Sequence, residues 1–168
     1  MKQGPRYYVK PRRRREGKTD YRRRLKLLKS RKTRIVVRNS LKNIYVQFVE
    51  YAETGDKILA SAVSKELEKN YQWNFSTSTT PAAYLTGLLA AKRAKENGIS
   101  EGVLDIGLKT PVKGSRVFAA LKGVLDAGIE CPHNDEKLPN EDRLLGIHLD
   151  EKITNNVTNI KSKIIGGK

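Results

Sequence analysis

Apolar positions fall into three short alternating runs in the first third of the chain and two longer helical waves after them. Residues 34–39 (RIVVRN) are rich in β-branched side chains. Residues 43–51 (NIYVQFVEY) place Ile44, Val46 and Phe48 on one parity and Tyr45, Gln47 and Val49 on the other. Alternation of this kind is the mark of a strand with two unlike faces. Residues 57–63 (KILASAV) form a third run, after the turn cluster Glu53-Thr54-Gly55-Asp56. The link Ser40-Leu41-Lys42 is short enough for a hairpin. Three strands joined by tight turns predict an antiparallel meander, with Arg34, Arg38 and Lys42 carrying positive charge onto its first edge.

Residues 64–71 read as a weak, charged helical turn. Thr80 then serves as a helix cap, with Pro81 at the first helical position, where its missing N–H costs nothing. Tyr84, Leu85, Leu88, Leu89 and Ala91 supply the buried face of that helix, and Gly98 suits its left-handed end. Residues 103–108 (VLDIGL) predict a buried strand. Ser115 caps a second helix, in which Val117, Phe118, Leu121, Val124 and Leu125 recur at helical spacing before Gly128. A strand flanked by two amphipathic helices, added to a meander, gives an α/β fold: a mixed β-sheet, antiparallel apart from one parallel strand, covered by helices. Residues 131–140 read as a loop and 141–147 as a short helix. The polar, Asn-rich residues 153–168 predict little independent structure.

Ahead of the sheet, Thr19-Asp20 looks like a helix start. Tyr21, Leu25 and Leu28, with Leu27 alongside, give the following helix a narrow apolar stripe toward the body. Arg22, Arg23, Arg24, Lys26, Lys29 and Arg31 form its cationic outer face. The stripe is too narrow for insertion into a membrane surface. Residues 1–18 contain two prolines, two glycines and almost no aliphatic side chain. Such a segment cannot offset its own ordering entropy and is expected to be extended or disordered in isolation. The organisation predicted is an arm over residues 1–18, one α/β domain over 19–150, and a polar tail over 151–168.

Charge sharpens this picture. The 168 residues carry a net charge of +16, and residues 1–34 hold 16 Lys/Arg against two acids. The rest is a nearly neutral body, within which residues 126–151 hold eight acids against Lys137 and Arg143. No run approaches the ~18 apolar residues of a membrane span. No apolar run follows the charged start, so no secretory signal is expected. The single cysteine, Cys131, excludes an internal disulfide and a Cys-based zinc knuckle, and fits a reducing compartment.

A basic run can be a mere import address, and Lys10-Pro11-Arg12 to Arg15 would pass as one. Such an address has no need of Tyr7 and Tyr8, which interleave here with Arg6 and Lys10. Arginine forks suit phosphates and stack on bases. Tyrosines offer stacking platforms to the unpaired bases that RNA exposes and duplex DNA hides. The partner expected is a polyanion, with RNA favoured.

Signals for catalysis are poor. Gly102 and Gly107 have the spacing of a phosphate loop, but Leu108 stands where its lysine belongs. A metal-dependent nuclease on such a sheet needs several converging carboxylates, and Asp105 is the only acid on a predicted strand near a loop. Cys131 and His133 read as a packed thiol beside a loop histidine, so no metal or other cofactor and no small-molecule substrate is expected. Lys113, Gly114 and Arg116 place cations at a helix N-terminus, where an anion would be welcome. An ordinary strand-to-helix turn capped by Ser115 explains the same residues.

Residues 19–47 (TDYRRRLKLLKSRKTRIVVRNSLKNIYVQ) and 116–135 (RVFAALKGVLDAGIECPHND) resemble two signatures of the large-subunit ribosomal protein L-eighteen family in its archaeal form, counterpart of the eukaryotic large-subunit protein L-five. The resemblance runs over roughly residues 4–149. It implies a structural constituent of the cytoplasmic ribosome that binds 5S rRNA and attaches it to large-subunit rRNA in the central protuberance, beside neighbouring ribosomal proteins. It also implies a ribonuclease-H-like three-layer domain without catalytic carboxylates. The arm (Arg6, Tyr7, Tyr8, Lys10, Arg12, Arg13, Arg14, Arg15, Lys18) would thread between the two RNAs. The segment holding Tyr21, Arg22, Arg23, Arg24, Lys26, Lys29, Arg31, Lys32, Arg34 and Arg38 would face RNA, and Lys113 and Arg116 would add a further anion contact. The competing readings are a metal-dependent nuclease on a similar sheet and a small DNA-compacting protein.

Overall fold

The β-branched runs form three strands, β1 (Arg34–Asn39), β2 (Ile44–Glu50) and β3 (Lys57–Val63), in the computed structural model, which describes residues 4–166. β1 and β2 pair antiparallel from Arg34 opposite Val49 to Asn39 opposite Ile44. β2 and β3 also pair antiparallel, with a register shift at Phe48/Val49. Ala60 faces Phe48 and Ile58 faces Val49, so Leu59 is the extra residue of a bulge, which turns Ile58 to the same side of the sheet as Val49. A fourth strand, β4 (Val103–Asp105), joins β1 in parallel, giving the order β3-β2-β1-β4. The expected α/β class with one parallel strand is what forms.

Two details differ from the sequence reading. β1 is interior rather than an edge, because β4 covers its free side. β4 also stops at Asp105 instead of running to residue 108. The Gly107 amide donates to Asp105 Oδ1 at 2.8 Å, and Gly107 adopts φ +62°, so the chain turns away and Leu108 is exposed.

One sheet face buries Ile35, Val37, Ile44, Val46, Phe48, Ala60 and Ala62. Against it pack α4 (Thr80–Glu96), over β2 and β3, and α5 (Arg116–Asp126), which lies beside α4 and reaches β1, with α3 (Lys65–Tyr71) at the strand ends. α4 is enclosed on most sides, which explains its run of Ala and Leu. Its cap is Thr79, one residue earlier than the sequence suggests, with the Oγ1 atom accepting from the Ala82 amide at 3.5 Å. Ser115 stands at the cap position of α5 but makes no side-chain capping bond. Gly98 (φ +76°) and Gly128 (φ +85°) close their helices as expected.

α4 and α5 cross at backbone contact. A Cβ on Gly87 would lie 2.0 Å from the Ala120 carbonyl oxygen, and one on Gly123 would lie 2.1 Å from that of Tyr84. Helix propensity alone favours Gly→Ala by about 1 kcal/mol. Here Gly87→Ala is expected to destabilise the chain, by about 1–3 kcal/mol, because neither backbone can yield. Urea unfolding checks the sign; a gain in stability would contradict the close crossing.

The largest difference lies at the C-terminus. The segment expected to have little structure forms a 16-residue helix, α7 (Glu151–Gly166), packed on α4 and the short α6 (Glu141–Leu145). Ile153, Val157, Ile160 and Ile164 recur at helical spacing and are all buried. Asn and Thr between them mask that period in the composition, but period, not composition, decides burial. Gly167 and Lys168, at the end of the predicted tail, lie outside the described residues. Truncating Ile160→Ala should cost about 2–5 kcal/mol in denaturant unfolding, whereas an undocked tail would show no change.

Candidate nucleic-acid interface

The second sheet face, carrying Val36, Arg38, Gln47 and Val49, holds the basic N-terminal segment. α2 (Tyr21–Leu28) starts at Asp20, whose Oδ1 atom accepts the amides of Arg22 (3.0 Å) and Arg23 (3.1 Å). These bonds, the Arg23 amide foremost, hold the Asp20 carboxyl below its usual range. The helix does not dock by the stripe the sequence suggests. Tyr21 and Leu25 are exposed, and the inner side is formed by Arg24, Leu27 and Leu28. Polar anchors choose that side: Arg24 Nη2 bonds both carboxylate oxygens of Asp56 (2.9 and 2.8 Å), and Arg23 Nη1 donates to the Gly107 carbonyl at 2.8 Å.

Beneath α2 lies a row of alternating charges. Arg34, 3% exposed, donates to Asp56 at 2.7 Å and to Asp105 at 3.2 Å. Arg38 donates to the other Asp105 oxygen at 2.9 Å and to the Asp105 carbonyl at 2.6 Å. The sequence Arg24–Asp56–Arg34–Asp105–Arg38 therefore runs unbroken from helix to sheet. Burial raises both carboxyls. For Asp56 the guanidiniums of Arg34 and Arg24 outweigh it, and for Asp105 those of Arg38 and Arg34 with the Gly107 amide, so both end below the usual range. This corrects the placement of Arg34 on a surface edge: it is an internal clamp.

The arm is not wholly extended. After Pro11, Arg12–Arg15 make a single helical turn, α1. Pro11 sets the first φ and its carbonyl accepts the Arg14 and Arg15 amides, while Gly17 at φ +62° ends the turn. Arg12 Nε bonds Glu16 at 2.8 Å, and Arg13 Nε donates to Thr19 Oγ1 at 2.8 Å. Lys18, then Arg12, lower the Glu16 carboxyl.

A groove of about 590 Å³ opens between this segment and the sheet, with Arg13, Lys18, Arg23, Arg24, Arg38 and Lys109 on its walls. Arg6, Lys10, Arg14, Arg15, Arg22, Lys26, Lys29 and Arg31 do not line it but are exposed, as are Tyr7 and Tyr8. Lys32 is exposed too, and pairs with Glu101. Lys113 and Arg116 stand apart from the groove; Arg116 is half-buried and donates to the Ser78 carbonyl at 2.9 Å. The sequence reading missed Asp56 and Asp105 as anchors. The available signal was Arg at residues 34 and 38, on the parity opposite Ile35 and Val37.

Among the described residues, no three His, Cys, Asp or Glu side chains are grouped so as to hold a metal ion. Cys131 is buried, which pushes its thiol up, and His133 bonds the Cys131 carbonyl and Asp135. No helix among the described residues is long and apolar enough to cross a membrane.

A cationic arm and helix, clamped to a sheet whose interior acid is held by arginines, define an α/β protein with its positive charge gathered on one exposed N-terminal segment. The chain belongs to the family described as ribosomal large subunit proteins 60S L5 and 50S L18, which matches residues 5–101 and 94–134. It is 58% identical over 149 residues to the large ribosomal subunit protein uL18 of Korarchaeum cryptofilum, covering 89% of this chain and 76% of that one. It is 55% identical to the protein of the same name from Aeropyrum pernix (89% and 70% covered) and 51% identical to that from Methanothermobacter thermautotrophicus (90% and 78%). The chain is thus a structural protein of the large subunit of the cytoplasmic ribosome, not an enzyme, and its relatives here are archaeal.

Proposed function

We propose that this protein binds 5S rRNA and attaches it to the large-subunit rRNA in the central protuberance, as the family resemblance implies. The observation that carries the reading is the concentration of charge: 16 of the 34 Lys/Arg lie in residues 1–34, and most of them are exposed, with Arg13, Lys18, Arg23 and Arg24 on the walls of the groove. Arg6, Lys10, Arg12–Arg15, Lys18, Arg22, Lys26, Lys29, Arg31 and Lys32 meet phosphates, and Tyr7, Tyr8 and Tyr21 stack on unpaired bases. Arg23, Arg24, Arg34 and Arg38 hold the surface in place, with the freer edge of Arg38 open to RNA. Lys113 and Arg116 offer a separate, weaker contact. The acids of residues 126–151 repel phosphate and face away from 5S rRNA, toward basic neighbouring proteins.

If about ten phosphates are neutralised, log K for 5S rRNA should fall against log salt with a slope of about −7 to −9. A slope shallower than about −3 would contradict the reading. Replacing Tyr7 and Tyr8 by Ala should lower affinity at an unchanged slope, because stacking releases no counterions.

A further inference from the structure

α7 divides its surroundings in two. On one flank Lys161 lies 5.5 Å from the centre of the Tyr84 ring, whose hydroxyl donates to Asp126 at 2.8 Å and feels Glu141 as well. That flank is the acidic one. On the other, α7 and the segment after α3 enclose an open groove. Lys152, Asn155, Asn156, Asn159 and Lys163 come from the helix. Gln72 and Asn74 face them, with the Tyr71 ring alongside, and no carboxylate lines the groove.

We propose that this groove is a second RNA site, taking a strand of large-subunit rRNA on the side of the molecule opposite the arm. The inference rests on the RNA-attachment role proposed above and adds where the second RNA is held. The sheet separates the two sites: α7 packs on α4, which covers the inner face, while α2 and the arm lie on the outer one.

Three observations point to RNA. Among the described residues, no side-chain amide of Asn155, Asn156, Asn159, Gln72 or Asn74 has a hydrogen-bond partner within the protein. Amides offering both donors and acceptors suit base edges and the 2′-hydroxyl. Lys152 and Lys163 stand at the two ends of the stripe, about 16 Å apart at 1.5 Å per residue, a span of about five stacked nucleotides. Finally, Asn is a poor helix former, and three of them occupy a helix flank where they bury little. Their side chains stabilise neither the helix nor the core. A protein partner with acidic groups would use the lysines but leave the amides without purpose.

The test uses the full chain, 5S rRNA and protein-free large-subunit rRNA. The variant K152E/K163E should keep the wild-type melting temperature, since both lysines are exposed, and should bind isolated 5S rRNA within about twofold. Capture of large-subunit rRNA by its 5S complex should fall at least tenfold. In N155A/N156A/N159A the melting temperature should rise while capture falls, a pairing that a merely structural role would not produce. Unchanged capture in both variants would overturn the second site. An equal loss of binding to isolated 5S rRNA would overturn its separateness. Failure of the wild-type chain to bind 5S rRNA would instead sink the attachment role, and is read independently in the same assay.

Discussion

Replacing Arg12, Arg13, Arg14 and Arg15 together by Gln will weaken binding to 5S rRNA by about a thousandfold at 0.1 M salt. Each phosphate contact contributes about 0.7–0.9 to the salt slope, so four lost contacts remove about 3 from it and the corresponding factor at 0.1 M. The turn that carries them buries none of its residues. Its side-chain bonds are to Glu16 and to the boundary residue Thr19, neither of them in the core, so thermal unfolding should stay within about 1 °C of wild type. Filter binding over a series of salt concentrations checks both numbers. A loss that does not shrink as salt rises would mean that the arginines act by shape or stacking.

The second large effect is on stability. Arg34→Met is expected to cost about 3–5 kcal/mol, because it strips Asp105 and Asp56 of a shared buried partner while Asp105 remains inside the protein. For a chain of this length that is a fall in melting temperature of about 6–20 °C. Both carboxyls lie below their usual range in the folded protein. Their contribution is therefore fully present above the unfolded value of about 3.9 and is lost as pH falls through the lower folded values. The gap between wild type and variant should accordingly be constant near neutrality and narrow below about pH 4, when the aspartates become neutral in both. A gap that widens in acid would contradict the charge row. Loss of α2 docking should accompany it, since Asp56 is shared with Arg24.

Much of the fold is legible because periodicity reports burial directly. The alternation in β2 and the helical spacing in α5 name their buried faces almost residue by residue. α7 is not legible by eye because Asn and Thr fill the positions between its four isoleucines and valine. β4 is overestimated because Ile106 and Leu108 look like strand residues, while the Asp105 side chain bonding the Gly107 amide is a local event that no pattern displays. For the interface, exposure of the arm follows from composition alone. The docking of α2 does not: Tyr21, Leu25 and Leu28 have the right spacing, but the helix turns to let Arg24 reach Asp56, a partner 32 positions away. Arg34 is the same lesson within a strand, where a charge that looks like surface is held inside by two distant acids, Asp56 from a turn and Asp105 from the end of β4.

If the arm and α2 recognise 5S rRNA in particular, competition between RNAs will show it. The full chain would be titrated at 0.3 M salt with labelled 5S rRNA in the presence of unlabelled 5S rRNA or unlabelled transfer RNA. High salt suppresses the contribution common to any phosphate backbone and leaves stacking and shape. Transfer RNA should be needed at a concentration at least tenfold higher to displace half of the label. Equal potency of the two competitors would contradict that recognition and reduce the arm to a non-specific polyanion contact.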